Sequence, residues 1–152
     1  MITSMTNELE LRAGYLENKK IETIYFGGGT PSIIKHKYIG KLLSKIKEIF
    51  NITEHPEITM EFNPDDIDSE KLIQLKDLGV NRLSIGIQSF DDKDLIFMNR
   101  SHNSKEAFDC IKISKENGFK NITVDLIYGL PNQSNKKWKD NLNKINELDI
   151  HH

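Results

Sequence analysis

Four short runs rich in β-branched and aromatic residues recur along the chain: ETIYF (22–26), EITMEF (57–62), RLSIGIQS (82–89) and NITVDLIYG (121–129). Each is separated from the next by a longer segment of helical periodicity. Strands joined through helices cannot pair as hairpins, so the connections are crossovers and the sheet is parallel. Between the first two runs, Leu42, Leu43, Ile46, Ile49 and Phe50 make an apolar stripe over about residues 38–50. Leu72, Leu75 and Leu78 make another, in a helix opened by Asp68 or Ser69 and stopped by Gly79. A short helix is expected over about 91–98, and a longer one from a Ser104 cap to Gly118. A last helix should start near Ser134 with Trp138, Leu142, Ile145 and Leu148 inward. Residues 4–18 read as a further helix with Met5, Leu9 and Leu16 roughly on one face.

The alternation within the strands selects the architecture. A parallel sheet covered by helices on both faces is apolar on both. Here Ile58, Met60 and Phe62, then Leu83, Ile85 and Ile87, then Ile122, Val124 and Leu126 share one side. Opposite them lie Thr59 and Glu61, then Ser84, Gly86 and Gln88, then Thr123 and Asp125. One apolar and one polar face fit the wall of a barrel or open barrel better than a doubly wound sheet. A closed eight-unit barrel takes roughly 250 residues, and the chain has 152. The expectation is one α/β domain over residues 1–152: a partial (β/α) barrel, parallel strands inside and helices outside, either an open arc or a fragment.

Composition excludes several classes. No apolar run approaches the length of a membrane span, and MITSMTNELELRAGYLENKK lacks the apolar core of a signal peptide. A cytoplasmic location is the resulting expectation. The formal net charge of -2 gives no field favouring nucleic acid, and Lys37, Lys41 and Lys45 read as a solvated helix face. The one cysteine, Cys110, excludes an internal disulfide and a multi-thiolate metal site made by this chain alone. It falls in the apolar pattern of a helix and reads as core. His36, His55 and His102 have no metal-ligand spacing and read as exposed.

Ligands of such barrels lie at the carboxyl ends of the strands. The first run ends in Gly27, Gly28, Gly29 and Thr30, the second at Glu61, the third at Gln88 and the fourth at Asp125. The glycines admit two readings: a sharp strand-to-helix turn before Pro31, or close approach of a ligand to bare backbone. Glu61, Gln88 and Asp125 each admit a local structural partner. Burying all three without partners costs about 1–3 kcal/mol each, so four consecutive polar strand ends favour a shared polar ligand. Arg100 offers a planar fork suited to a carboxylate.

In order, GGGTPS, EFNP, GVNRLSIGIQSF, NR and DLIYGLP resemble the blocks of the radical S-adenosylmethionine (SAM) family of oxygen-independent coproporphyrinogen III oxidases and their heme-chaperone relatives. The resemblance runs from about residue 21 to residue 152. It implies an incomplete (β/α)6 barrel with SAM at the strand ends and a [4Fe–4S] cluster at the mouth. By that resemblance Gly28, Gly29 and Thr30 lie against the methionine amino group, and Glu61 serves as an anionic acceptor. Gln88 and Asp125 bind polar groups of SAM, and Arg100 pairs with its carboxylate. EFNP, IQSF and DLIYGLP resemble the heme-chaperone branch, which binds heme, more than the branch that decarboxylates the porphyrinogen.

The resemblance also implies three clustered cysteines, which this chain lacks. The cluster ligands are expected upstream of Met1, and the chain by itself is expected to perform neither reaction. In the complete protein the resemblance implies reductive cleavage of SAM. The alternatives are the coproporphyrinogen III dehydrogenase itself, a non-radical (β/α)-barrel lyase using Glu61 or Asp125 as base, and a binding module without turnover. The expected partners are SAM and a porphyrin or heme, with aggregation or dimerisation through an uncovered strand edge.

Overall fold

The computed structural model describes residues 1–17, 19–150 and 152. The four runs form β1 (Ile21–Phe26), β2 (Ile52–Phe62), β3 (Arg82–Gln88) and β4 (Asn121–Leu126). They make one sheet in the order β1-β2-β3-β4, every neighbouring pair parallel. The helices are α1 (Ile2–Leu11), α2 (His36–Ile49), α3 (Ser69–Asp77), α4 (Asp92–Phe97), α5 (Ser104–Glu116) and α6 (Asn135–Glu147). Each successive strand adds to the same side of the last, as the wall of a barrel does and a doubly wound sheet does not. Beyond β4, the Val124 N–H donates to the His152 carbonyl at 2.9 Å. Among the described residues no helix is long and apolar enough to cross a membrane.

The two faces of the sheet divide as the alternation predicts. Ile58, Met60, Leu83, Ile85 and Ile87 are buried in a core shared with Ile39 and Leu42 of α2, Leu72 and Leu75 of α3, and Ile111 of α5. The opposite face carries small buried polar groups, Thr59, Ser84 and Thr123. Its floor is tied by Arg82, whose guanidinium donates to Glu57 Oε1 at 2.9 Å and Thr123 Oγ1 at 2.8 Å. Matching registers align the polar positions, Glu61 opposite Ser84 and Ser84 opposite Thr123.

Several boundaries differ from the sequence expectation, each for a local reason. The first helix stops at Leu11, and a 3-10 turn follows over Ala13–Leu16. Gly14 disfavours continuation, and Glu17 is left-handed at φ +49°; residue 18 of the expected helix lies outside the described residues. Strand β2 starts five residues early, at Ile52, and a register shift between Ile21 and Thr23 of its partner accommodates the extension. The α5 cap is Asn103, whose side chain accepts the Glu106 N–H while Glu106 returns the bond to the Asn103 N–H. That reciprocal box satisfies two otherwise free donors, which Ser104 could not do alone. On α6, Leu142 faces solvent and Asn141 is buried instead.

Candidate functional site

The glycine loop resolves into two different requirements. Gly28 and Gly29 have φ of +85° and +67°, where a side chain strains the backbone, so the chain does turn here. Gly27 is a packing glycine: a Cβ there would lie 2.5 Å from Tyr25 Cε1 and 2.9 Å from Glu61 Oε1. At Gly28 and Gly29 a Cβ would meet nothing within 4 Å. The turn therefore leaves bare backbone facing open space.

Glu61, at the end of β2, does have local partners, the alternative that the sequence left open beside a ligand. Its Oε1 accepts from the Tyr25 hydroxyl at 2.8 Å and its Oε2 from the Gly28 N–H at 2.9 Å. Partial burial, together with the adjoining Glu61 carboxylate, raises the Tyr25 phenol above its usual value. Asp125 Oδ2 accepts a long bond of 3.4 Å from Ser84 Oγ. Arg100, in the turn between α4 and α5, donates from Nη2 to Asn63 Oδ1 at 2.9 Å and to the Gly86 carbonyl at 3.3 Å. Its buried Nε has no partner among the described residues, which leaves a cationic donor unsatisfied.

These groups surround a cavity of about 240 Å³ at the carboxyl ends of the strands. Gly29, Thr30, Glu61, Gln88, Arg100 and Asp125 all line it, and Gly28 adjoins it through Glu61. Of the residues expected at the rim, these are thus brought to one place, while Gly27 packs beneath it against Tyr25 and Glu61. Sequence reasoning missed Tyr25 and Asn63. Extending the alternation to β1 would have found Tyr25, because Ile24 and Phe26 are buried and Tyr25 is 55% exposed on the polar side. Asn63 stood in the EFNP block, directly after the last strand residue, but no role was drawn from it.

His102 corrects another expectation: it is only 3% exposed, not solvated. Nε2 lies 3.0 Å from the Ile87 carbonyl, which can only accept, so Nε2 carries the proton. Burial lowers its pKa below the usual imidazole value and keeps it neutral. Cys110 is core as expected; Sγ lies 3.1 Å from the Ala107 carbonyl and burial pushes the thiol to about 12. Among the described residues no group of three His, Cys, Asp or Glu could hold a metal ion.

A parallel sheet in sequential strand order, with helices on one face and a polar cavity at its strand ends, defines part of a (β/α) barrel. The profile of the Radical SAM superfamily matches residues 5–145, and the chain belongs to that superfamily. It is 39% identical over 136 residues to the heme chaperone HemW of Lactococcus lactis, covering 90% of this chain and 36% of the relative. To the heme chaperone HemW of Escherichia coli it is 32% identical over 151 residues, covering 99% and 40%. Coproporphyrinogen III oxidase HemN of Escherichia coli superposes with a TM-score of 0.87 at 30% identity, over 98% of this chain and 34% of that one. The chain thus spans between 35% and 40% of the curated relatives it matches first.

The family implies SAM and a [4Fe–4S] cluster, and the two fare differently against this structure. The cavity fits a zwitterionic ligand: exposed backbone at Gly28 and Gly29, a carboxylate at Glu61 and the guanidinium of Arg100. The cluster finds no fit among the described residues, because the one cysteine is a buried, protonated thiol on an outer helix.

Proposed function

We propose that this chain is the SAM-binding portion of a radical SAM barrel protein of the heme-chaperone type. The observation that carries the proposal is the convergence of Gly29, Thr30, Glu61, Gln88, Arg100 and Asp125 on one cavity. In this reading the backbone at Gly28, Gly29 and Thr30 lies against the amino acid end of SAM. Glu61 takes the ammonium, Arg100 takes the carboxylate, and Gln88 and Asp125 bind the remaining polar groups. A guanidinium already anchored by Asn63 and the Gly86 carbonyl loses little freedom on engaging a carboxylate. When bound, SAM supplies the reactive group of the family; the chain's own residues bind it, orient it and shield it from water. The heme-chaperone assignment, and with it heme as a ligand of the whole protein, is supported by the curated relatives.

The test is calorimetric titration of SAM into the full chain, repeated with Arg100→Ala. Saturable binding that Arg100→Ala weakens about tenfold or more supports the site, since a charge-assisted bond contributes roughly 1.5–3 kcal/mol. Absence of binding to the folded chain refutes it. For the branch, the protein containing this chain is given hemin and, separately, coproporphyrinogen III with reductant and SAM. Tight heme binding without porphyrinogen conversion supports the chaperone; formation of protoporphyrinogen assigns the oxidase instead.

A further inference from the structure

Strand β3 ends in a distorted turn. Gln88 has φ of +67°, where a residue with a Cβ is crowded. The Ser89 N–H donates back to the Ile87 carbonyl at 2.9 Å, the closure of a γ-turn, which at positive φ is the strained form. Strain of this kind persists only where surrounding groups hold it, and it gathers where a side chain must be aimed. Here the amide is aimed back over Gly86: a Cβ on Gly86 would lie 2.7 Å from Gln88 Nε2.

Three sets of contacts hold the turn. The Ile127 N–H donates to the Gln88 carbonyl at 2.9 Å, and His102 Nε2 donates to the Ile87 carbonyl at 3.0 Å. The third set comes from α6. Asn141, 2% exposed, accepts the Phe90 N–H at Oδ1 (2.8 Å) and donates from Nδ2 to Ser89 Oγ at 3.2 Å. The buried Ser89 hydroxyl donates to Asp94 at 3.3 Å and also accepts the Asp91 N–H at 3.1 Å. One donor and two acceptor sites are thereby filled. Lys137 bridges Asp91 and Asp94 at 3.2 Å each. None of these network side chains lines the cavity; His102 bears on the residue before Gln88, and the others bear on the residues that follow it.

We infer that Asn141 is a positioning residue of the strand-end site. From α6 it fixes Ser89 and Phe90, and so keeps Gln88 in the left-handed turn that directs its amide into the cavity. The inference rests on that cavity being the ligand site. A buried asparagine that only pins a loop would stabilise the fold and leave ligand affinity indifferent to Gln88. One that acts through Gln88 would couple to it, because residues linked through a shared backbone shift are non-additive.

The experiment is a double-mutant cycle on the full chain with Asn141→Ala and Gln88→Ala, read as SAM affinity. Ser89→Ala replaces Asn141→Ala if the latter does not fold. Asn141→Ala is expected to weaken SAM about threefold to tenfold in the parent and to have no further effect when Gln88 is already alanine. An equal effect in both backgrounds, or none in either, overturns the inference. A parallel readout needs no ligand: the Gln88 side-chain amide resonance and the exchange rate of the Phe90 N–H. If the parent binds no SAM, the site reading fails, and these two signals judge the positioning alone. A shifted Gln88 amide with faster Phe90 exchange in Asn141→Ala supports it; an unmoved Gln88 amide overturns it.

Discussion

Gly86→Ala separates stability from ligand binding at a single methyl group. Gly86 lies on the polar face of β3, and a Cβ there would sit 2.7 Å from Gln88 Nε2, 3.7 Å from the Phe62 carbonyl and 3.9 Å from Arg100 Nη2. Only the first contact is too short, and it is the end of a flexible side chain. The backbone therefore stays in place and the Gln88 amide swings away. Replacing glycine where the backbone is compatible stabilises by about 0.4–1 kcal/mol through the unfolded chain. Forcing Gln88 off its rotamer costs about 0.5–1.5 kcal/mol. The two nearly cancel, so Tm should move by no more than about 2–4 °C. Ligand binding loses on both counts: the hydrogen bond from Gln88, about 0.5–1.5 kcal/mol, and room in a cavity of about 240 Å³, where overpacking costs about 1–3 kcal/mol. The combined effect is an affinity loss of about tenfold or more. Thermal melts and calorimetric SAM titrations on the same preparation measure both quantities. Unchanged affinity with unchanged Tm would refute the reasoning, because it would show that the face of Gly86 and Gln88 is not where ligand sits.

Two further outcomes are expected. His102 is neutral in the fold because burial lowers its pKa, whereas in the unfolded chain it titrates near 6.5. The unfolded state thus binds the extra proton, and stability is full above about pH 6.5 and falls as pH drops from there toward the lowered folded value. Melts between pH 8 and pH 5 should show the decline, and His102→Gln should flatten it; an unchanged slope in that variant counts against the assignment. Cys110, with its thiol pushed to about 12 and almost no exposed surface, should resist alkylation at pH 8 in the native chain and react promptly in denaturant. Rapid native labelling would show that α5 opens from the sheet.

The alternation within β2, β3 and β4 was legible because each strand has a buried apolar face and a polar one, and a slip of one residue would invert both. Glu61, Gln88 and Asp125 were legible for the same reason, since they continue the polar face to the strand end, whereas the glycine loop and Arg100 took their roles from the motif blocks. What escaped depends on contacts distant in sequence. His102 sits in a polar stretch that reads as a loop, and its burial follows from the turn after α4 folding onto the end of β3. On α6, the pattern Trp138, Asn141, Ile145 and Leu148 keeps helical spacing better than one through Leu142. Hydrophobicity favoured Leu142, whereas burial of Asn141 is made tolerable by partners at Ser89 and Phe90 about fifty residues earlier. Tyr25 needed the register of β1 on β2 to be seen beside Glu61.

The bonds from Tyr25 and Gly28 to Glu61 bear on how any cation is received there. An ionised carboxylate offers about four acceptor sites, so with one donor on each oxygen Glu61 keeps capacity on both. A cation arriving there would add to the phenol and the loop amide without displacing them. What the two bonds would fix is the direction of approach: with Tyr25 on one oxygen and the Gly28 amide on the other, the carboxylate is held in one orientation before any ligand arrives.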